Sequence, residues 1–125
     1  MTTRHPRETP FSVLIDGDSD PTVIRVGGEL DSNGARDLRA GMTGVVGRQQ
    51  TIVDIRDVSF VDSAGLGALV GGIRRLREAG GSVVLCCTRS SVLRLLRMTG
   101  LDRIIAVTGS LAEARRAVAE ALLPA

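Results

Sequence analysis

A single serine follows an aspartate in the run Asp62-Ser63-Ala64-Gly65-Leu66-Gly67, which stands between an apolar segment and a segment of helical length. An Asp or Ser at such a place is an ordinary helix N-cap, because its side-chain oxygen accepts a hydrogen bond from a free backbone N–H. The cap alone does not explain Gly65 and Gly67, which weaken the start of a helix. Glycines there remove side chains from around the Ser63 hydroxyl and let another protein approach closely. The run is therefore typical of a serine that a protein kinase phosphorylates.

A second acidic segment, Gly27-Gly28-Glu29-Leu30-Asp31, follows an earlier apolar run. The sequence predicts that both segments are loops, which follow the second and third strands of a sheet. Because the C-terminal ends of parallel strands meet at one edge of a sheet, Asp31, Asp62 and Ser63 are expected to form one surface.

The chain lacks side chains that a serine hydrolase, a lysine-dependent enzyme or a receiver domain requires. Its one histidine, His5, lies near the N-terminus, and the residues around Ser63 lack the first glycine of a nucleophile elbow, so a hydrolase is not expected. There is no lysine, which excludes Schiff-base and P-loop chemistry. A receiver domain would need a lysine and a phosphorylated Asp at a strand end, whereas Asp54 falls inside its predicted strand. We expect no enzyme activity and no cofactor.

Two further groups of residues have the composition of metal ligands. The run Asp16-Gly17-Asp18-Ser19-Asp20 has the Asp spacing of a calcium loop, but Pro21 stands where the tight turn needs Gly, and Gly27 where a bidentate Glu belongs. The adjacent Cys86 and Cys87 are predicted to point to opposite faces of a strand, so they form neither an ordinary disulfide nor a metal clamp. We expect a solvated turn, two small core residues and no metal.

The composition is that of one folded domain. The chain has 125 residues, 43% hydrophobic and 24% charged, which suits a single core and is unlike a disordered chain. With two Phe, no Tyr and no Trp it has no aromatic platform for bases, and its sixteen arginines are interspersed with fourteen acidic residues. Direct nucleic-acid binding is therefore not expected. Since no signal peptide and no apolar segment of about 18 residues is recognisable, we predict a cytoplasmic protein without membrane contact.

The pattern of apolar residues predicts an α/β domain over residues 11–122, preceded by a mobile tail over residues 1–10. The predicted strands are 11–15, 22–26, 52–55, 83–86 and 104–107. The predicted helices are about 32–46, 64–79, 90–98 and 111–122. The first two strands are expected to form an antiparallel hairpin, and the alternating strands and helices that follow imply parallel crossovers. The result is a mixed, mostly parallel sheet of about five strands with about four helices, in the order β-β-α-β-α-β-α-β-α.

Some helices have local signals. Ser110 and Glu113 have the spacing of a capping box at the start of the last helix. Gly41, Gly44 and Gly47 each cost the first helix about 1 kcal/mol relative to Ala, so we expect it to fray or end early.

The third helix is predicted to have a solvated basic face, which an acidic surface of a partner could also contact. The arginines concerned are Arg89, Arg94, Arg97 and Arg103. Met98 is predicted to pack against the sheet or a neighbouring strand.

Three motifs together resemble those of the STAS-domain family of anti-sigma-factor antagonists (anti-anti-sigma factors). They are Gly28-Glu29-Leu30-Asp31, Val53-Asp54-Ile55 and Phe60-Val61-Asp62-Ser63-Ala64-Gly65-Leu66-Gly67-Ala68-Leu69. The resemblance extends from Phe11 to about Leu122. It implies that Ser63 is phosphorylated by a partner anti-sigma factor, which is a serine kinase using ATP, and that Asp31 lies beside Ser63. The implied partner-binding residues are Asp31, Asp62, Ser63, Ala64, Gly65, Leu66 and Gly67.

The chain departs from the family pattern at two positions. Many members have a second serine where Ala64 stands, so Ser63 is the one acceptor hydroxyl of this segment. Many also have Thr where this chain has Gly34, which leaves the start of the first helix less well defined.

The resemblance implies a partner-switching regulator of transcription in bacterial stress responses. The unphosphorylated domain binds the anti-sigma factor and frees a sigma factor, phosphorylation of Ser63 ends this binding, and a phosphatase resets the cycle. The alternative is a non-switching structural STAS subunit of a stress-signalling assembly or of a membrane transporter complex. In such a subunit Ser63 is not phosphorylated.

Overall fold

The computed structural model describes residues 10–121, in which five strands and four α-helices follow the predicted order. The strands are β1 (Ser12–Asp16), β2 (Thr22–Leu30), β3 (Gln50–Val61), β4 (Ser82–Cys86) and β5 (Val107–Thr108). The helices are α1 (Ser32–Thr43), α2 (Ser63–Glu78), α3 (Ser90–Thr99) and α4 (Leu111–Glu120), and a 3-10 turn (Leu101–Arg103) follows α3. The predicted α/β fold class is confirmed. Residues 1–9 of the predicted tail, and Leu122 at the predicted domain end, lie outside the described residues.

The order of the strands in the sheet is their order in the chain, β1-β2-β3-β4-β5. β1 pairs with β2 antiparallel, and the other three pairs are parallel. The predicted hairpin and parallel crossovers are thereby confirmed. Because β2, β3 and β4 run in one direction, all three end at the same edge of the sheet, where α1, α2 and α3 begin.

The sheet separates two apolar layers. The larger layer lies between the sheet and α1, α2 and α3 and includes Leu85 and Cys87. The smaller layer lies under α4 and includes Val84 and Cys86. The adjacent cysteines therefore lie on opposite faces, as predicted, and both thiols are free and buried.

β2 and β3 are longer than predicted. Residues 27–30 were expected in a loop, but β2 continues to Leu30, and β3 likewise continues to Val61. The pairing shifts twice, between Arg25 and Gly27 and between Gly28 and Glu29, and each time β3 has one extra residue. The glycine segment is thus a bulged continuation of the strand pair, in which Gly28 adopts a φ of 87°.

The last strand is shorter than predicted. Of residues 104–107, expected to be a strand, only Val107 pairs regularly with β4. The N–H groups of Ile104 and Ile105 instead donate to the carbonyl oxygen of Leu101, at 3.0 and 3.1 Å, so these two residues close the turn that begins with the 3-10 segment. Ile104 is 63% exposed as a result.

The predictions about α1 and Met98 have opposite outcomes. α1 ends at Thr43, before the predicted bound, as its glycines indicate. The prediction that Met98 packs against the sheet or a neighbouring strand is wrong, since this side chain is 77% exposed. α3 buries Val92 and Leu96, and a residue two places after Leu96 lies on the opposite side of a helix.

The capping box of α4 forms with a displacement of one residue. The Ser110 hydroxyl accepts from the N–H of Glu113 at 3.1 Å, and the Glu113 carboxylate accepts from the N–H of Gly109 at 3.1 Å. Two backbone donors at the helix start are thereby satisfied.

Candidate partner-binding site

The pairing of β2 with β3 brings the two motif aspartates to one edge of the sheet. Leu30 pairs with Val61, and the N–H of Asp62 donates to the carbonyl oxygen of Leu30 at 3.2 Å. Asp31 therefore follows the end of β2 beside Asp62, which follows the end of β3. The structure places Ser63 next to them, as the sequence predicts for parallel strands.

Each aspartate caps the helix that it precedes. Asp31 Oδ1 accepts from the N–H groups of Asn33 and Gly34, both at 3.0 Å, and Asp62 Oδ1 accepts from the N–H of Gly65 at 2.8 Å. A capping carboxylate satisfies backbone donors and is favourable at the positive end of a helix. The start of α1 is therefore as well defined as that of α2.

The departure from the family pattern at Gly34 has a packing reason. A Cβ at this position would lie 2.8 Å from the ring of Phe11, which packs against the larger apolar layer. The absence of a side chain in α1 thus makes room for the aromatic ring that precedes β1.

Ser63 is the first residue of α2 and is exposed. Because Asp62 supplies the cap, the hydroxyl of Ser63 is not required for it, and it makes no hydrogen bond within residues 10–121. Ala64, which follows, adds no second hydroxyl. Ser32 has the same position in α1, directly after the capping Asp31, and is exposed as well.

The two glycines after Ser63 have different environments. Gly67 is exposed, and a Cβ there would meet nothing within 4 Å, which agrees with a bare surface. Gly65 is buried, and a Cβ there would overlap the carbonyl oxygen of Leu30. The interpretation of Gly65 as a residue kept small for an approaching partner is therefore corrected: its absence of a side chain lets α2 begin directly against the end of β2.

Sequence reasoning missed Phe60, which is 50% exposed and pairs with the exposed Glu29 in the sheet. Strict alternation along β3 from the buried Val58 would turn Phe60 toward the core, and the extra residue of the second bulge reverses this. No feature of the sequence marks that bulge. Phe60 and the half-buried Leu66 are large apolar residues that lie within four positions of Asp62 in the chain.

Arg89 lies at the same edge of the sheet, at the N-cap of α3. Its Nε donates to the carbonyl oxygen of Val58 at 3.0 Å. The other three arginines of the predicted basic face are exposed, in agreement with a solvated face. The guanidinium of Arg89 adds a fixed positive group to an edge that otherwise carries carboxylates.

The groups considered as metal ligands do not form a metal site in the part of the chain that the structure describes. No three His, Cys, Asp or Glu side chains there are close enough together to hold an ion. Asp16 accepts from the N–H of Ser19 at 3.2 Å, as expected of a turn. Burial raises the pKa of the Cys86 and Cys87 thiols, which keeps them protonated at neutral pH.

Among the described helices none is both long and apolar enough to cross a bilayer.

One known family and several curated relatives match this chain over most of its length. The family model of the STAS domain matches residues 12–114. The anti-sigma F factor antagonist of Paenibacillus polymyxa is 31% identical over 88 residues, which are 68% of this chain and 75% of that protein. The anti-sigma-B factor antagonist of Listeria monocytogenes is 33% identical over 96 residues, covering 72% of this chain and 81% of that protein.

Solved structures have the same fold. An anti-sigma factor antagonist from Mycobacterium paratuberculosis superposes with a TM-score of 0.80 at 26% identity, over 90% of this chain and 98% of that one. The Bacillus cell fate determinant SpoIIAA in its phosphorylated form superposes with a TM-score of 0.63 at 22% identity, over 84% of this chain and 98% of that one. The second likeness concerns the fold alone.

Proposed function

Because the chain belongs to the STAS-domain family of anti-sigma factor antagonists, we propose that its unphosphorylated form binds an anti-sigma factor and so frees a sigma factor for transcription. The anti-sigma factor is a serine kinase that uses ATP, and it ends the binding by phosphorylating Ser63. A separate phosphatase restores the binding form. The observation that carries the proposal is the exposed Ser63 hydroxyl. The helix cap does not require this hydroxyl, because Asp62 supplies the cap. Ser63 also lies at the edge of the sheet where Asp31 lies.

The position of Ser63 lets the domain accept a phosphate without unfolding. Ser63 is the first residue of α2, and anions near the first turn of a helix stabilise it by about 0.3–1 kcal/mol. Its exposure means that no packed side chain has to move. The fold of the phosphorylated protein is therefore expected to be that of the unphosphorylated one.

A docked partner experiences the same phosphate as a repulsion. Phosphorylation adds about −1.5 to −2 charges at an edge that already carries Asp31 and Asp62. One acidic group of the partner at about 4 Å, with an effective dielectric constant near 20, is repelled by about 4 kcal/mol per charge. A third of that repulsion weakens binding about tenfold. The switch thus acts at the interface.

The proposal is tested by incubating the purified protein with ATP and each candidate anti-sigma factor kinase of the same organism in turn. We expect the intact mass to increase by one phosphate, and peptide mapping to locate it on Ser63. Ser63→Ala should prevent the modification.

Ser32→Ala is the matched control, because Ser32 is also exposed and also follows a capping aspartate. This variant should be phosphorylated like the parent protein. A phosphate on Ser32 with Ser63 unmodified would contradict the assignment of the acceptor. No phosphate on either serine, together with stable binding to the kinase, would favour the non-switching structural subunit.

A further inference from the structure

A cleft of about 370 Å³ opens between the C-terminal half of α2 and the 3-10 turn that follows α3. Its apolar lining is Val70, Ile73, Leu101 and Ile104, and its main charged lining is Arg74 and Arg77. The guanidinium of Arg77 donates to the carbonyl oxygen of Ile104 at 3.1 Å, which ties the turn to α2. The cleft is therefore built by a specific contact, and its size is within the range of ligand sites.

Ile104 is the unusual side chain of this cleft. It is 63% exposed although it lies next to the buried Leu101 and Ile105. An apolar side chain exposed at the rim of a concave site loses water favourably when an apolar group packs against it.

The two segments that line this cleft carry an excess of positive charge. Residues 63–78 of α2 and residues 101–104 around the 3-10 turn carry four arginines and two acidic residues, a net charge of +2. The remaining residues carry twelve arginines and twelve acidic residues and are balanced. A positive field of this kind attracts anionic partners and repels cationic ones.

We propose that this cleft binds an acidic peptide segment of another protein, with one bulky apolar side chain of the peptide in the cleft and a carboxylate paired with Arg74. The concave shape of the cleft fits a peptide better than an anionic membrane surface, which would meet the exposed arginines without filling the cleft. The peptide gains apolar burial at Ile104 and charge complementarity at the rim.

The cleft is separated from the phosphorylation site, so this inference does not rest on the proposed function. At 1.5 Å per residue, Arg74 lies about 16 Å along α2 from Ser63. This separation is about twice the Debye length of about 8 Å at physiological ionic strength. Binding at the cleft should therefore be the same whether Ser63 is phosphorylated or not, and a partner can stay attached there through the whole cycle.

The test titrates the ¹⁵N-labelled full-length protein with an acetylated and amidated peptide of sequence Glu-Glu-Leu-Leu-Glu-Glu-Leu-Leu-Glu-Glu. Amide shifts should change around Ile73, Arg74 and Ile104. A peptide with Ser in place of Leu, and one with Gln in place of Glu, should each bind more weakly.

Substitutions identify the residues on which the affinity for the peptide depends. Arg74→Glu and Ile104→Ser, both at exposed positions, should weaken peptide binding by about five- to tenfold. Arg115→Glu is the matched control, because it makes the same charge change at an exposed position of α4, on the other face of the sheet. It should leave the affinity unchanged, as should Ser63→Asp.

Three kinds of result would overturn the proposal. The first is a Gln peptide that binds as tightly as the Glu peptide, or an Arg115→Glu variant that loses as much affinity as Arg74→Glu. Either result would mean that the contact is not specific to this cleft. The second is binding to phosphatidylglycerol vesicles without binding to the peptide. The third is weaker peptide binding by the Ser63→Asp variant, which would mean that the peptide binds at the edge of the sheet where α2 begins.

Discussion

Substituting Gly65 by Ala tests whether α2 must begin directly against the end of β2. A Cβ at position 65 overlaps the carbonyl oxygen of Leu30, which also accepts the N–H of Asp62 at 3.2 Å. This oxygen belongs to the backbone of a buried strand, so it cannot rotate away as the end of a flexible side chain can. The start of α2 has to move instead, and the cap by Asp62 moves with it.

The expected magnitude follows from two opposing effects. Replacing Gly by Ala inside a helix gains about 1 kcal/mol. Overpacking costs about 1–3 kcal/mol and sometimes more, and a backbone contact belongs at the upper end of that range. Gly65→Ala should therefore lower the free energy of unfolding by about 2 kcal/mol, or the melting temperature by about 8 °C.

Gly67→Ala is the matched control, two residues further along the same helix. Because a Cβ there meets nothing within 4 Å, only the gain in helix propensity remains. This variant should be more stable than the parent by up to about 1 kcal/mol. If Gly67 keeps the surface bare for a partner, the same variant should bind the anti-sigma factor less tightly.

Both variants are compared with the parent by thermal and urea unfolding followed by circular dichroism. A Gly65→Ala protein that melts at or above the temperature of the parent would refute the packing argument. Gly65 would then be part of an open surface, as first inferred from the sequence.

Further predictions concern the site and the thiols. Ser63→Asp should bind the anti-sigma factor more weakly than Ser63→Ala in calorimetric titrations, and equal affinities would contradict the electrostatic account. Asp31→Asn keeps a good N-cap, so it should weaken partner binding with little change in melting temperature; a lower melting temperature with unchanged binding would make Asp31 a cap only. Because burial raises the thiol pKa of Cys86 and Cys87 in the folded state, stability should be full below the ordinary thiol pKa and fall as the pH rises above it. Cys86→Ala combined with Cys87→Ala should flatten that decline in urea titrations at increasing pH.

The order of the elements and the shared edge could be predicted from local signals. Short apolar runs alternating with helical segments imply parallel crossovers, and these bring Asp31 and Asp62 together whatever the lengths of the strands. Opposite faces for Cys86 and Cys87 follow from the alternation of a strand alone.

Features that depend on pairing between distant segments could not be predicted. The bulges that extend β2 past Gly27 and turn Phe60 outward arise from the register between two strands, which no single segment encodes. The role of Gly65 likewise depends on Leu30, a residue far away in the chain. Ile104 is of a residue type that favours strands, but the 3-10 turn that begins after Gly100 places it outside the sheet.

If an anti-sigma factor kinase phosphorylates Ser63 as proposed, the neighbouring ends of β2 and β3 also determine which molecules that kinase accepts. A peptide with the sequence of residues 57–70 contains the acceptor hydroxyl, but it lacks Asp31 and has no strand against which its helix can begin. An enzyme that contacts both helix starts would modify such a peptide poorly, and would equally ignore a nascent or unfolded chain. Phosphorylation would then occur only on folded molecules, so that only native antagonist would take part in the regulation of transcription.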